Sequence, residues 1–134
     1  MFKKVLDSTF VHMFGAFVAM GGWAFFANRL HPFDVAIKSA LLQGLLSATI
    51  TFFMKKALEA LAARFQRQNL KRAALILPPL IVCSFSLAVL VGAHSVIGTP
   101  ELLATVSIPF SVAFSYACLY SYRLWTKAKL IRGL

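Results

Sequence analysis

Two rows of polar side chains recur every four residues inside apolar runs. One is Ser39, Gln43, Ser47 and Thr51; the other is Ser107, Ser111 and Ser115. Four-residue spacing puts each row on one face of a helix. Polar groups are costly against hydrocarbon, so such rows are expected to face protein or a water-filled cavity. They offer hydrogen bonds to a lipid headgroup or a linked sugar. They also offer bonds to each other, at about 0.6 kcal/mol per bond.

Charged candidates gather in two short turns. Arg29 and Lys38 are suited to a phosphate, because both present N–H donors with full positive charge. His31, His94, Asp34 and Glu101 are metal-ligand types, but their spacing follows no zinc pattern, so no metal is expected. His12 is an ionisable residue within an apolar run, which makes it the candidate for a proton-linked role. Cys83 and Cys118 read as packing residues, not as a disulfide framework. No phosphate loop, HExxH, nucleophile elbow or paired carboxylates appear, so no catalytic residue and no cofactor are expected.

These residues need a membrane scaffold. The 134 residues are 60% hydrophobic, with a mean hydropathy of +0.78, whereas a soluble domain is usually about half apolar. A membrane span takes roughly 20 mostly apolar residues. Four runs qualify, at about 9–28, 35–54, 73–97 and 102–122. The expected fold is an all-α integral membrane protein, one four-span domain over residues 1–134.

The net charge of +10 would point to nucleic acid on a soluble chain. Here the cations sit at span ends, and no basic face lies outside the spans. Lys3, Lys4, the central stretch and the tail hold twelve of the fourteen basic residues; Arg29 and Lys38 are the other two. Cytoplasmic loops carry the excess of Lys and Arg, so both termini are expected inside. The stretch KKALEALAARFQRQNLKR, residues 55–72, places Leu58, Leu61, Ala62 and Phe65 on one face. It reads as an amphipathic connector lying on the cytoplasmic surface, where anionic lipid would meet it. The tail TKAKLIRGL is a second surface-binding candidate.

Helix ends and contacts are also marked. Asp7 or Ser8, Asp34 and Thr99 are candidate N-caps, and Thr99-Pro100-Glu101 reads as a helix start. Lys38 lies within i,i+4 reach of Asp34. Gly15, Ala19 and Trp23, at spacing four, and Gly21 and Gly22 after them offer small residues where another helix can approach closely. Pro78 and Pro79 predict a kink or a late start in the third span.

A shift of 68 residues aligns Lys3–Lys4 with Lys71–Arg72, Pro32 with Pro100, Ser39 with Ser107, Gln43 with Ser111, Ser47 with Ser115 and Lys55 with Arg123. Two parallel-repeat hairpins follow, related by an axis along the membrane normal. Spans two and four would then meet row to row.

The run TPELLATVSIPFSVAFSYACLYSYRLWTK, with its ending Tyr122-Arg123-Leu124-Trp125, resembles the last span of the GtrA-like family. These are small four-span bacterial proteins linked to the flipping of polyprenyl-phosphate sugars. Elsewhere the pattern departs: span two ends in Phe53-Met54-Lys55-Lys56. The resemblance implies a component of lipid or polyprenyl-linked-sugar translocation in the bacterial inner membrane. Two other readings stand beside it: a non-catalytic accessory or scaffold subunit, and a proton-coupled small carrier centred on His12. The expected partners are membrane lipid and other membrane proteins, in a homo- or hetero-oligomer, and no nucleic acid. Headgroup contact is assigned to Ser39, Gln43, Ser47, Ser107, Ser111, Ser115, Arg29 and Lys38.

Overall fold

The computed structural model describes residues 8–133. Four helices make up the described chain: α1 Thr9–Ala27, α2 Phe33–Arg67, α3 Ala73–Ile97 and α4 Leu102–Ile131. All four are long and apolar enough to cross a membrane. The chain is an all-helical integral membrane protein by that criterion. Lys3, Lys4 and Asp7 lie outside the described residues.

α2 and α4 touch each other and both remaining helices, while α1 and α3 do not meet. The turns 28–32 and 98–101 share one end of the bundle, because Asn28 Oδ1 accepts the Glu101 backbone N–H at 3.1 Å. The connector 68–72 and the tail of α4 share the other, because Trp125 Nε1 donates to the Lys71 carbonyl at 3.1 Å. These are called the turn end and the connector end.

The core has two parts. Toward the connector end, Met54, Leu58, Val82, Cys83 and Ala117 form an apolar cluster between α2, α3 and α4. Toward the turn end, six of the buried side chains are polar: Asn28, Ser39, Gln43, His94, Thr99 and Thr105. An apolar core adds little in hydrocarbon, where lipid is as apolar as leucine; close packing and hydrogen bonds do the holding.

The first part of the connector continues the second span, since α2 runs unbroken past Lys56 through Arg67. At 1.5 Å per residue, its 35 residues reach about 52 Å, against about 30 Å of hydrocarbon. Leu58 and Ala62, expected on a membrane-facing stripe, are buried. The apolar face of 55–67 has thus been used for packing within the protein. The tail likewise continues α4 as far as Ile131.

Several local expectations are corrected. α1 meets α2 through Gly21 and Gly44, not through Gly15, Ala19 and Trp23. A Cβ on Gly21 would stand 2.9 Å from the Ala40 carbonyl oxygen, and one on Gly44 would stand 2.9 Å from that of Phe17, whereas Gly15 and Gly22 face open space. Ser8 holds the N-cap position of α1 without a side-chain cap bond. Asp34 lies inside the first turn of α2, after Pro32 at the cap. α3 starts at Ala73, so Pro78 and Pro79 sit inside it, and there is no late start.

Thr99 does not cap α4, whose N-cap position is taken by Glu101. It closes α3 instead. Gly98 adopts φ +69. Its N–H bonds the Ser95 carbonyl at 3.2 Å, and the Thr99 N–H bonds the His94 carbonyl at 3.0 Å. This pair of bonds is the Schellman ending, which needs a left-handed residue at Gly98.

Candidate functional site

The Schellman ending of α3 brings Thr99 back over His94. In most such endings the two residues make an apolar contact. Here the contact is polar: Thr99 Oγ1 lies 2.7 Å from His94 Nδ1. On its other side, His94 Nε2 lies 2.9 Å from Gln43 Oε1. Gln43 Nε2 donates to Ser47 Oγ at 2.8 Å, and Ser39 Oγ donates to Thr99 Oγ1 at 3.3 Å.

The bonds close in one direction. Gln43 donates through its amide nitrogen, so its carbonyl oxygen accepts from His94 Nε2–H. His94 Nδ1 then accepts the Thr99 hydroxyl, which in turn accepts from Ser39. An uncharged imidazole satisfies both neighbours, and no carboxylate takes part. His94 and Gln43 are 0% exposed. Five side chains from α2, α3 and the second turn thus form one buried chain: Ser39, Thr99, His94, Gln43 and Ser47.

A second group clasps α1 to α4. Asn28, also fully buried, donates through Nδ2 to the Ala24 carbonyl at 2.9 Å and to Thr105 Oγ1 at 2.8 Å. Its Oδ1 holds the Glu101 N–H, one of the donors that the start of α4 leaves without an intrahelical partner. Trp23 Nε1 adds a bond to the Ala104 carbonyl at 2.8 Å. His31 Nε2 and Glu101 Oε1, 3.0 Å apart, bridge the two turns at the surface.

The expected site residues therefore separate. Ser39, Gln43 and Ser47 are buried, and their polar atoms are bonded within the bundle. Ser107, Ser111 and Ser115 are exposed on α4 and do not meet the α2 row. Their hydroxyls donate to the carbonyls of Ala104, Ser107 and Ser111 at 3.1, 2.7 and 2.9 Å. Arg29 and Lys38 are both exposed. Arg29 Nη1 donates to the Phe26 carbonyl at 2.8 Å, and its guanidinium lies 3.9 Å from the centre of the Phe26 ring. Among the described residues the one contact at salt-bridge distance is His31–Glu101, so Asp34 and Lys38 are not paired.

His12 is exposed, near the connector end of α1 and remote from the buried chain. No three of His, Cys, Asp and Glu come together as metal ligands among the described residues. Cys83 and Cys118 are both free thiols.

Sequence reasoning did not assign Asn28, Thr99 or Thr105 to a site. A signal for Thr99 was present: His94 is followed four residues later by Gly98, the pattern of a helix closed by a left-handed glycine. Nothing in the sequence alone marks Asn28.

A lateral groove opens on the flank of the bundle. It holds about 350 Å³ between α2 and α3, lined by Thr49, Phe53, Met54, Ile81, Phe85 and Ser86 among others. Phe53, Ile81 and Phe85 are 59%, 46% and 71% exposed, so the groove opens on the flank of the bundle. Thr49 turns its hydroxyl to the Leu45 carbonyl at 2.9 Å. What the groove offers an occupant is therefore mainly apolar contact.

No family model matches the chain, and no match was found among curated proteins or solved structures.

Proposed function

We propose that this protein handles a lipid within the membrane, as a component of lipid or polyprenyl-linked-sugar translocation. The observation that carries the reading is the apolar groove between α2 and α3. Its volume of about 350 Å³ falls within the usual range of ligand sites, about 300–1,000 Å³. A groove on the flank of a membrane bundle meets acyl or isoprenoid chains before anything else. The headgroup would track an outer face. Of the two serine rows only that of α4 is open to it, because the α2 row is bonded within the bundle. The setting we assign is a bacterial inner membrane with both termini cytoplasmic, on the twelve-to-two division of basic residues. Anionic lipid at the cytoplasmic face and further membrane proteins are its partners. The two hairpins are treated as duplicated halves.

The test is lipid exchange between leaflets in proteoliposomes carrying a headgroup-labelled fluorescent lipid. Dithionite, added outside, bleaches only the outer leaflet. The reading expects bleaching beyond the outer-leaflet share, and a return to that share when Ala57→Trp fills the groove. Bleaching that never exceeds the protein-free level would overturn it.

A second reading, a non-catalytic scaffold subunit, is favoured by the same outward row. Ala104, Ser107, Ser111 and Ser115 leave a small-residue face to which another helix can come close. Ser111→Leu separates the two. In a scaffold it abolishes assembly and leaves lipid exchange unchanged.

A further inference from the structure

The connector end holds a second cavity, of about 110 Å³, lined by Gln66, Lys71, Trp125, Ala128, Lys129 and Arg132. Three basic residues from two separate stretches of chain thus rim one apolar hollow, their stems lining it and their side chains exposed, and no carboxylate of the described residues lines the space. Unlike a solvated charge run, this group is organised by bonds. Trp125 Nε1 donates to the Lys71 carbonyl at 3.1 Å, which fixes the connector against α4. The Arg132 guanidinium donates to the Gln66 carbonyl at 3.3 Å, which engages one of its five N–H donors and leaves the others. The Lys129 ammonium lies 5.4 Å from the centre of the Trp125 ring. None of the three has an ion-pair partner among the described residues.

The neighbouring helix adds to this. α3 begins at Ala73, two residues beyond Lys71, without a side-chain cap bond and without an acidic residue in its first turn. Its first turn is closed by backbone, with the Ala74 N–H on the Leu70 carbonyl at 2.9 Å and the Leu75 N–H on that of Arg72 at 3.1 Å, so what it adds is the positive end of the helix dipole, with no acid beside it. The Arg132 bond by itself would be ordinary capping of the end of α2. Capping does not account for Lys71 and Lys129 around the same cavity, nor for the absence of an acid. The indole of Trp125 is of the type found at the membrane–water boundary, and the basic charge beside it is what an anionic surface attracts.

We infer that Lys71, Lys129 and Arg132, around Trp125, bind a phosphate group at the connector end. The ligand class is a phosphate monoester or diester, carried by a lipid or free in solution. The inference uses the membrane reading but not translocation, because the cavity is distinct from the α2–α3 groove. Binding here and lipid exchange can fail separately.

The test follows Trp125 fluorescence in detergent-solubilised full-length protein carrying Trp23→Phe, which leaves Trp125 as the sole tryptophan. The probes are short-chain phosphatidic acid and inorganic phosphate. Saturable quenching by phosphatidic acid is expected, weakened about tenfold or more when Lys71, Lys129 and Arg132 all become glutamine. The control replaces Lys55, Lys56 and Arg123 with glutamine, which removes the same charge elsewhere, and should change affinity less than about twofold. If inorganic phosphate competes fully, the site takes the group from solution; if it does not, the site reads a lipid headgroup. Either result supports the inference. Equal weakening in the two triple variants, or no saturable binding of either probe, overturns it.

Discussion

His94 Nε2 and Gln43 Oε1 lie 2.9 Å apart, joining α3 to α2 through two side chains that are 0% exposed. This bond divides the polar residues of the protein into two classes. The α2 row holds the bundle together. The α4 row, equal in spacing, faces outward and bonds to its own helix.

The two classes should respond differently to substitution. Gln43→Leu removes the partners of both His94 Nε2 and Ser47 while leaving them buried. Thr99→Val removes a partner of His94 Nδ1 and of Ser39 at nearly constant volume. Each should cost about 1–3 kcal/mol, the cost of a buried polar group left unpaired. Ser107→Ala, Ser111→Ala and Ser115→Ala should each change stability by less than about 0.5 kcal/mol. Reversible unfolding in mixed micelles by denaturing detergent measures all five. Equal losses from the two rows would contradict the division.

The α1–α2 contact gives a second contrast. A Cβ on Gly21 or Gly44 would meet a backbone oxygen at 2.9 Å, and backbone cannot move aside as a side-chain tip can. Gly21→Ala and Gly44→Ala should each cost about 1–3 kcal/mol as overpacking substitutions. Gly15→Ala and Gly22→Ala meet nothing within 4 Å and should be neutral, or stabilising by up to about 1 kcal/mol through helix propensity. The same unfolding measurement ranks the four variants.

Much of this arrangement was legible in the sequence, and the reason it stopped where it did is physical. Four apolar runs report four helices because a span needs length and hydrophobicity, and both are local. The α2 row reports a face turned away from lipid, because polar side chains are costly there. The sequence is silent on whether a serine row bonds across helices or back to its own carbonyl at i−4. Both use the same spacing, and Ser111 took the second course. Glycine contacts fail for a similar reason. Gly15, Gly21 and Gly22 are equivalent in composition, and only the placing of α1 against α2 selects Gly21. The amphipathic pattern of 55–67 was read correctly as a face, but its occupant, the protein's own α3 and α4, is a tertiary matter.

Orientation gives a third prediction. In a cysteine-free background, Leu30→Cys reports the turn end and Gln68→Cys the connector end, both positions being exposed. With the basic connector cytoplasmic, an impermeant thiol reagent added to intact cells should block Leu30→Cys and spare Gln68→Cys. Breaking the cells should expose both. Labelling of Gln68→Cys in intact cells would reverse the assigned topology.

A lipid chain held in the α2–α3 groove should be visible by native mass spectrometry of the detergent-purified protein, as one lipid adduct that survives the activation that strips detergent. The adduct should fall to background in Ala57→Trp, which fills the groove, and persist in Phe14→Ala, on the exposed flank of α1. An adduct of equal abundance in Ala57→Trp, or none on the unaltered protein, would contradict that assignment.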